Sequence, residues 1–81
     1  NPAEITKLIE AGFEGAVVQV MSGDNTHFEA VVVASEFEGQ RPIKRHQLVY
    51  STLGTLVGNE IHALSLRTFT PEEWRQQTAE S

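Results

Sequence analysis

The chain contains no cysteine, which excludes a disulfide framework and a nucleophilic thiol and fits a reducing compartment. It also lacks any apolar run approaching the roughly 20 residues that cross a bilayer, so no membrane partner is expected. There is no basic-then-apolar secretory leader, and a cytoplasmic location is the expectation. The chain begins at Asn1 rather than methionine, which leaves the native start open. Low-complexity stretches, internal repeats and linkers are missing as well. With 40% hydrophobic residues over 81 positions, residues 1–81 read as one globular domain near the lower size limit for a self-sufficient core.

Signatures of catalysis are missing too. No phosphate-binding glycine loop or dinucleotide fingerprint occurs. Ser22, His27 and Asp24 supply the components of a hydrolytic triad on paper, but a turn provides neither an oxyanion hole nor a strained nucleophile. The chain therefore reads as a non-enzyme. Its net charge of −5 weighs against a generic nucleic-acid binder, because phosphate contacts need clustered cations. Arg41, Lys44 and Arg45 form the one local basic cluster, while Glu4, Glu10, Glu14, Glu72, Glu73 and Glu80 load the two ends.

What is present is a clear alternation of periodicities. Asn1 caps a short helix over Pro2–Glu10, with Pro2 at its first position and Ile5, Leu8 and Ile9 as its stripe; Ala11-Gly12 ends it. Gly15 to Met21 alternates as a strand, with Ala16, Val18 and Val20 on one face and Val17, Gln19 and Met21 on the other. The turn formers of 22–26 lead to a second strand, His27 to Ser35. Its Ala30–Ala34 run lacks polar alternation, as expected of a central strand. After a turn at Phe37–Gln40, Pro42 opens a helix predicted to reach about Val57, with Val49, Tyr50, Leu53, Leu56 and Val57 on its stripe and Gly58-Asn59 as its stop. Ile61 to Phe69 reads as a third strand. Thr70-Pro71-Glu72-Glu73 is a capping box that starts a last helix, anchored by Trp74. The fold class is α+β: helix-strand-strand-helix-strand-helix, a three-stranded sheet with helices on one face.

Three histidines stand out on this frame. His62 shares a strand face with Leu64 and Leu66, and periodicity alone makes it core-facing. His46 lies one turn before Val49 and Tyr50, where it either wedges between helix and sheet or faces a partner. His27 follows the turn beside Phe28 and reads as either a solvated side chain or a ligand. Asp24 and Asn25 read as turn formers.

Thr26-His27-Phe28, Phe37-Glu38-Gly39, Arg45-His46, Ile61-His62-Ala63 and Thr70-Pro71-Glu72-Glu73-Trp74 occur together in an order and spacing that resemble the BolA family, most closely its small IbaG-type bacterial branch. The resemblance runs from about Ala16 to Trp74. It implies a fold similar to the type II KH domain and a monothiol glutaredoxin as partner. It further implies a [2Fe-2S] cluster shared between the two proteins, with thiolates from the glutaredoxin cysteine and glutathione and a histidine ligand that carries over onto His62. Many relatives hold a second ligand in a longer loop after the first strand; here that loop is short, and His27 is the nearest candidate, with His46 secondary. Gln47 stands where many relatives have arginine. Arg41, Lys44, Arg45 and His46 are then expected to dock the partner, with the apo protein a monomer or weak homodimer. The alternative that the resemblance carries is a KH-like transcriptional regulator binding nucleic acid weakly through the same cations. Against it, the chain has no Gly-x-x-Gly loop at the KH position: Gly12 and Gly15 have the spacing but precede the first strand, with Glu14 between them.

Overall fold

A computed structural model describes residues 1–24, 26–57 and 63–79. Its order is α1 (Pro2–Gly12), β1 (Val17–Met21), β2 (His27–Val33), a 3-10 turn (Ser35–Phe37), α2 (Pro42–Leu53), a second 3-10 turn (Gly54–Leu56), β3 (Ala63–Phe69) and α3 (Pro71–Ala79). The three strands form one sheet in the order β1-β2-β3. β1 runs antiparallel to β2, with Met21 opposite Glu29; β3 runs parallel to β2, with His27 opposite Ala63 and Val33 opposite Phe69. The sheet is therefore mixed, and β2 is central, as its uninterrupted apolar run predicts.

The core lies between this sheet and the first two helices. Phe28, Ala30 and Val32 alternate inward along β2, and Phe28 and Val32 pack with Ile5 and Ile9 of α1 and Val49 and Leu53 of α2. Ala16, Val18, Val20, Leu64 and Leu66 close the same layer from the flanking strands. The opposite face carries His27, Glu29, Ala63, Ser65 and Arg67, all exposed, with Val17 and Met21. α3 sits at the end of β3, its Trp74 ring 5.2 Å from that of Phe69.

Several boundaries differ from those predicted, each for a local reason. α1 continues to Gly12, and Phe13 then turns extended while its N–H bonds the Glu10 carbonyl, which places the Phe13 ring in the core. β1 starts at Val17 rather than Gly15. β2 stops at Val33, because the 3-10 turn that follows drives Phe37 inward. Phe37 is fully buried and meets Phe13 edge-on at 5.3 Å, so a residue read as part of a turn is a central core residue. α2 ends at Leu53 instead of near Val57. Gly54 adopts φ 58°, ψ −129° and donates its N–H to the Tyr50 carbonyl, a conformation that L side chains rarely adopt. The predicted stop at Gly58-Asn59, and Ile61 and His62 at the predicted start of the third strand, lie outside the described residues.

Gly12 has a second role. A Cβ at this position would lie 2.3 Å from Thr52 Cγ2, so the absence of a side chain is what allows α1 to approach α2 this closely.

Candidate functional site

The β1–β2 turn is organised by one carboxylate. Asp24 Oδ1 accepts the backbone N–H groups of Thr26 (3.0 Å) and His27 (2.9 Å), and Ser22 Oγ donates to the His27 carbonyl at 2.7 Å. The other oxygen, Oδ2, lies 2.8 Å from Nδ1 of the His27 ring. Thr26 Oγ1 is also 3.0 Å from that nitrogen. The backbone bonds from His27 and Thr26, followed by the imidazole contact, hold the Asp24 carboxyl well below the usual carboxylate range. An ionised carboxylate is only an acceptor, so Nδ1 is the donor to it, and the neutral ring keeps its lone pair on Nε2. No described residue hydrogen-bonds to Nε2.

His27 opens β2 on the uncovered face, its side chain 68% exposed. Beside it is a hollow of about 450 Å³ bordered by Met21, Ser22, Glu29, Ala63 and Ser65. The parallel pairing joins β3 to this point: Ala63 stands opposite His27, and its N–H donates to the Thr26 carbonyl at 3.3 Å. Ala63 is also the residue that follows His62 in the chain. His62 itself lies outside the described residues, so the strand register marks its attachment point and no more.

The basic cluster divides. Arg41 precedes α2 at its N-cap position and is exposed, as is Lys44. Arg45 is turned inward, with a side chain only 12% exposed. Its Nε donates to the Gln40 carbonyl at 2.9 Å, and its guanidinium reaches both oxygens of Glu73 at 2.8 and 3.4 Å. The same Glu73 closes the predicted capping box, accepting from Thr70 N–H at 2.8 Å while its own N–H donates to Thr70 Oγ1 at 3.1 Å. Arg45 also lies over the Phe37 ring, 5.9 Å from its centroid. It therefore clamps the start of α2 to the start of α3. The Arg45 bond, followed by that of Thr70, lowers the Glu73 pKa.

His46 is half-buried on α2, the helix whose Val49 and Leu53 pack on the Phe28 side of the sheet. His27 projects from the other side. The structure thus brings His27 together with the start of β3, while His46 lies on the helix that packs against the other face of the sheet. Sequence reading missed the second job of Asp24. The Asp-x-x-His spacing in a tight turn was its only signal, and an ordinary Asx turn gives the same one.

Among the described residues, no three His, Cys, Asp or Glu side chains converge to hold a metal ion. His27 offers an outward imidazole nitrogen, which suits one ligand position of a centre whose other donors come from elsewhere. No helix among the described residues is long and apolar enough to cross a membrane.

A family model described as BolA-like protein matches residues 9–73. Over 68 residues the chain is 43% identical to a protein of Vibrio cholerae named DNA-binding transcriptional regulator BolA, covering 84% of this chain and 64% of that protein. It is 38% identical to human BolA-like protein 1 over 72 residues, which cover 89% of this chain and 53% of the human protein. The chain thus spans just over half to just under two thirds of these relatives. Among solved structures, a BolA homologue from Coxiella burnetii superposes with a TM-score of 0.81 at 45% identity, covering 93% of this chain and 96% of that one. BolA1 of Mus musculus gives a TM-score of 0.82 at 31% identity over 95% and 70% of the two chains.

Proposed function

The chain belongs to the BolA-like family, and from that premise we propose that it is a non-enzymatic cytoplasmic adaptor that pairs with a monothiol glutaredoxin around a bridging [2Fe-2S] cluster. Its work would lie in iron–sulfur assembly, trafficking or iron sensing. The observation that carries this reading is the His27 imidazole, fixed through Nδ1 by a carboxylate and exposed beside a hollow on the open sheet face. Metal-ligating histidines are held in this manner, with one nitrogen bonded to a carboxylate or carbonyl and the other on the metal. His62, joined in the chain to the residue opposite His27, is the other proposed ligand. The thiolates then come from the partner's cysteine and from glutathione, in keeping with a chain that has no cysteine.

When bound, the cluster supplies a one-electron centre that can be handed on, and imidazole in place of thiolate raises its potential and makes its retention proton-sensitive. This chain's own part is to present nitrogen donors and a docking face. Exposed Arg41 and Lys44, with His46 behind them on α2, suit an acidic partner surface or the glutathione carboxylates. Arg45 supports that face from within through its clamp on Glu73.

Anaerobic co-expression with a monothiol glutaredoxin tests the reading. A brown complex is expected, whose visible absorption changes and whose iron content falls in His62→Ala and in His27→Ala. An unchanged spectrum and iron content in both variants would remove the mechanism.

A second reading, nucleic-acid binding, is favoured by the printed name of the Vibrio cholerae relative. The charge distribution opposes it. Arg45 is committed to Glu73 and Arg75 contacts Glu72, so the cluster offers two exposed cations on a chain of net charge −5. Two phosphate contacts correspond to a slope of about −2 in log affinity against log salt, far from the 6–10 contacts of a dedicated binder.

A further inference from the structure

Asp24 does two separable jobs with its two oxygens. Oδ1 accepts the Thr26 and His27 N–H groups and so builds the turn. Oδ2 takes no part in that and sits 2.8 Å from His27 Nδ1. A turn former needs only the first set of bonds. The second fixes which nitrogen of the imidazole carries the proton.

We propose that Asp24 is a positioning residue that holds His27 in the Nδ1–H form, turning an unprotonated Nε2 outward as a metal donor. This rests on the reading of His27 as a cluster ligand and extends it to the residue that makes the ring competent. The effect has two parts. Ring rotation is restrained because Nδ1 is held between Asp24 Oδ2 and Thr26 Oγ1, the latter at 3.0 Å. The tautomer is selected because a carboxylate can only accept. Removing either part leaves an imidazole whose Nε2 is protonated, or turned away, for much of the time.

The position also explains why the turn is built so tightly. Ser22 Oγ holds the His27 carbonyl at 2.7 Å, and Ala63 N–H binds the Thr26 carbonyl at 3.3 Å. The backbone on both sides of the ring is therefore tied down although the side chain is open to solvent. A restrained backbone under an exposed ring lowers the ordering cost of ligation.

Asp24→Asn separates the two jobs. Asparagine retains an oxygen for the Thr26 and His27 N–H groups and is itself a good turn former. It places an NH2 group against Nδ1, however. A donor there makes Nδ1 the acceptor and moves the proton to Nε2, the nitrogen that would face the metal.

The first measurement needs no metal. In the apo protein, at a pH where His27 is neutral, the ring ¹⁵N shifts should report the Nδ1–H form, and in Asp24→Asn the Nε2–H form. Thr26→Val, which loosens the ring but keeps the carboxylate contact, should retain the Nδ1–H tautomer. The second measurement is cluster retention in the complex with a monothiol glutaredoxin, where Asp24→Asn should lose about 10- to 100-fold in affinity. The proposal is overturned if Asp24→Asn keeps the parental tautomer, or if it retains the cluster at parental affinity while His27→Ala loses it. Should His27→Ala also retain the cluster unchanged, the ligand role of His27 fails, and with it the metal-donor half of the proposal. The apo tautomer then decides alone whether Asp24 sets the ring.

Discussion

Replacing Gly12 by alanine tests how α1 and α2 are held together, because two effects of opposite sign compete. Alanine is favoured over glycine by about 1 kcal/mol inside a helix, chiefly because it has less unfolded-chain entropy to lose. Gly12 is the last residue of α1, so the helix gain is only part of that figure. Against this, the new Cβ would stand 2.3 Å from Thr52 Cγ2 and 3.2 Å from Thr52 Cβ, where carbon atoms prefer about 3.5–4.0 Å. Thr52 cannot swing aside freely, since its Oγ1 donates to the Val49 carbonyl at 2.6 Å and β-branched side chains are stiff in helices. Relief comes from an off-rotamer Thr52, costing about 0.5–1.5 kcal/mol plus a weakened hydrogen bond, or from parting the helices at about 1–3 kcal/mol. The clash wins, and Gly12→Ala is expected to lose about 1–2 kcal/mol. In a domain of this size that lowers Tm by roughly 5–15 °C, read by circular dichroism. Thr52→Ser removes the offending methyl and keeps the hydroxyl, so it should recover about 1 kcal/mol or more in the alanine background beyond its own effect. A Gly12→Ala protein as stable as the parent, or a double-mutant cycle without coupling, refutes the packing argument.

Phe37→Ala empties a fully buried site at a cost of about 3–5 kcal/mol, a large part of the stability expected for 81 residues; urea titration should find it mostly unfolded at 37 °C, with Phe37→Leu far milder. Glu73 has a lowered folded pKa, so its contribution is full above its ordinary value of 4.5 and is lost as pH falls through the lower folded value. With the side chain 46% exposed, that contribution is about 1 kcal/mol or less. Glu73→Gln should flatten the acid limb of a stability–pH curve, and parallel curves would count against the clamp. Duplex DNA at low salt should bind weakly if at all, with a log–log salt slope no steeper than about −2; a slope near −6 would restore the nucleic-acid reading.

The order of elements is legible because each announces itself locally. Asn1-Pro2 and Thr70–Glu73 are caps whose partners lie within three residues, and the predicted bonds from Glu4 N–H to Asn1 and between Thr70 and Glu73 are found. The Ala30–Ala34 run marks the central strand because Ala30, Val32, Val33 and Ala34 are all buried, while Val31, on the open face, is half-buried between its neighbours. Phe37 was hidden for a physical reason: one 3-10 turn has no period, so nothing local distinguishes a buried aromatic from a solvated one. The inward turn of Arg45 was hidden differently. Its partner Glu73 is 28 residues away, and only the docking of α3 brings them together. The end of α2 depends on a single backbone angle at Gly54, whereas a glycine later in the same stretch made an equally good stop on paper.

The choice between His27 and His46 as second ligand is open in the sequence, and under the proposed reading the sheet favours His27. Two nitrogens on one iron must each approach to about 2 Å, so their rings have to share one side of the sheet. His27 stands on the open face, whereas α2 packs against the covered face through Val49 and Leu53. The end of α2 that carries His46 is the one nearer α3, while Tyr50, a turn later, donates its hydroxyl to the Leu64 carbonyl at 3.5 Å near the start of β3. Arg45, next to His46, is tied to Glu73 just past the end of β3, and β3 ends opposite Val33. Val33 is six residues from His27, about 20 Å along an extended chain. His46→Ala is therefore expected to leave the cluster spectrum intact and to change only glutaredoxin affinity, whereas His27→Ala should alter the spectrum with little change in stability, as befits an exposed side chain. If instead His46→Ala alone bleaches the complex, the sheet does not divide the two histidines in the bound state, and the assignment to His27 fails.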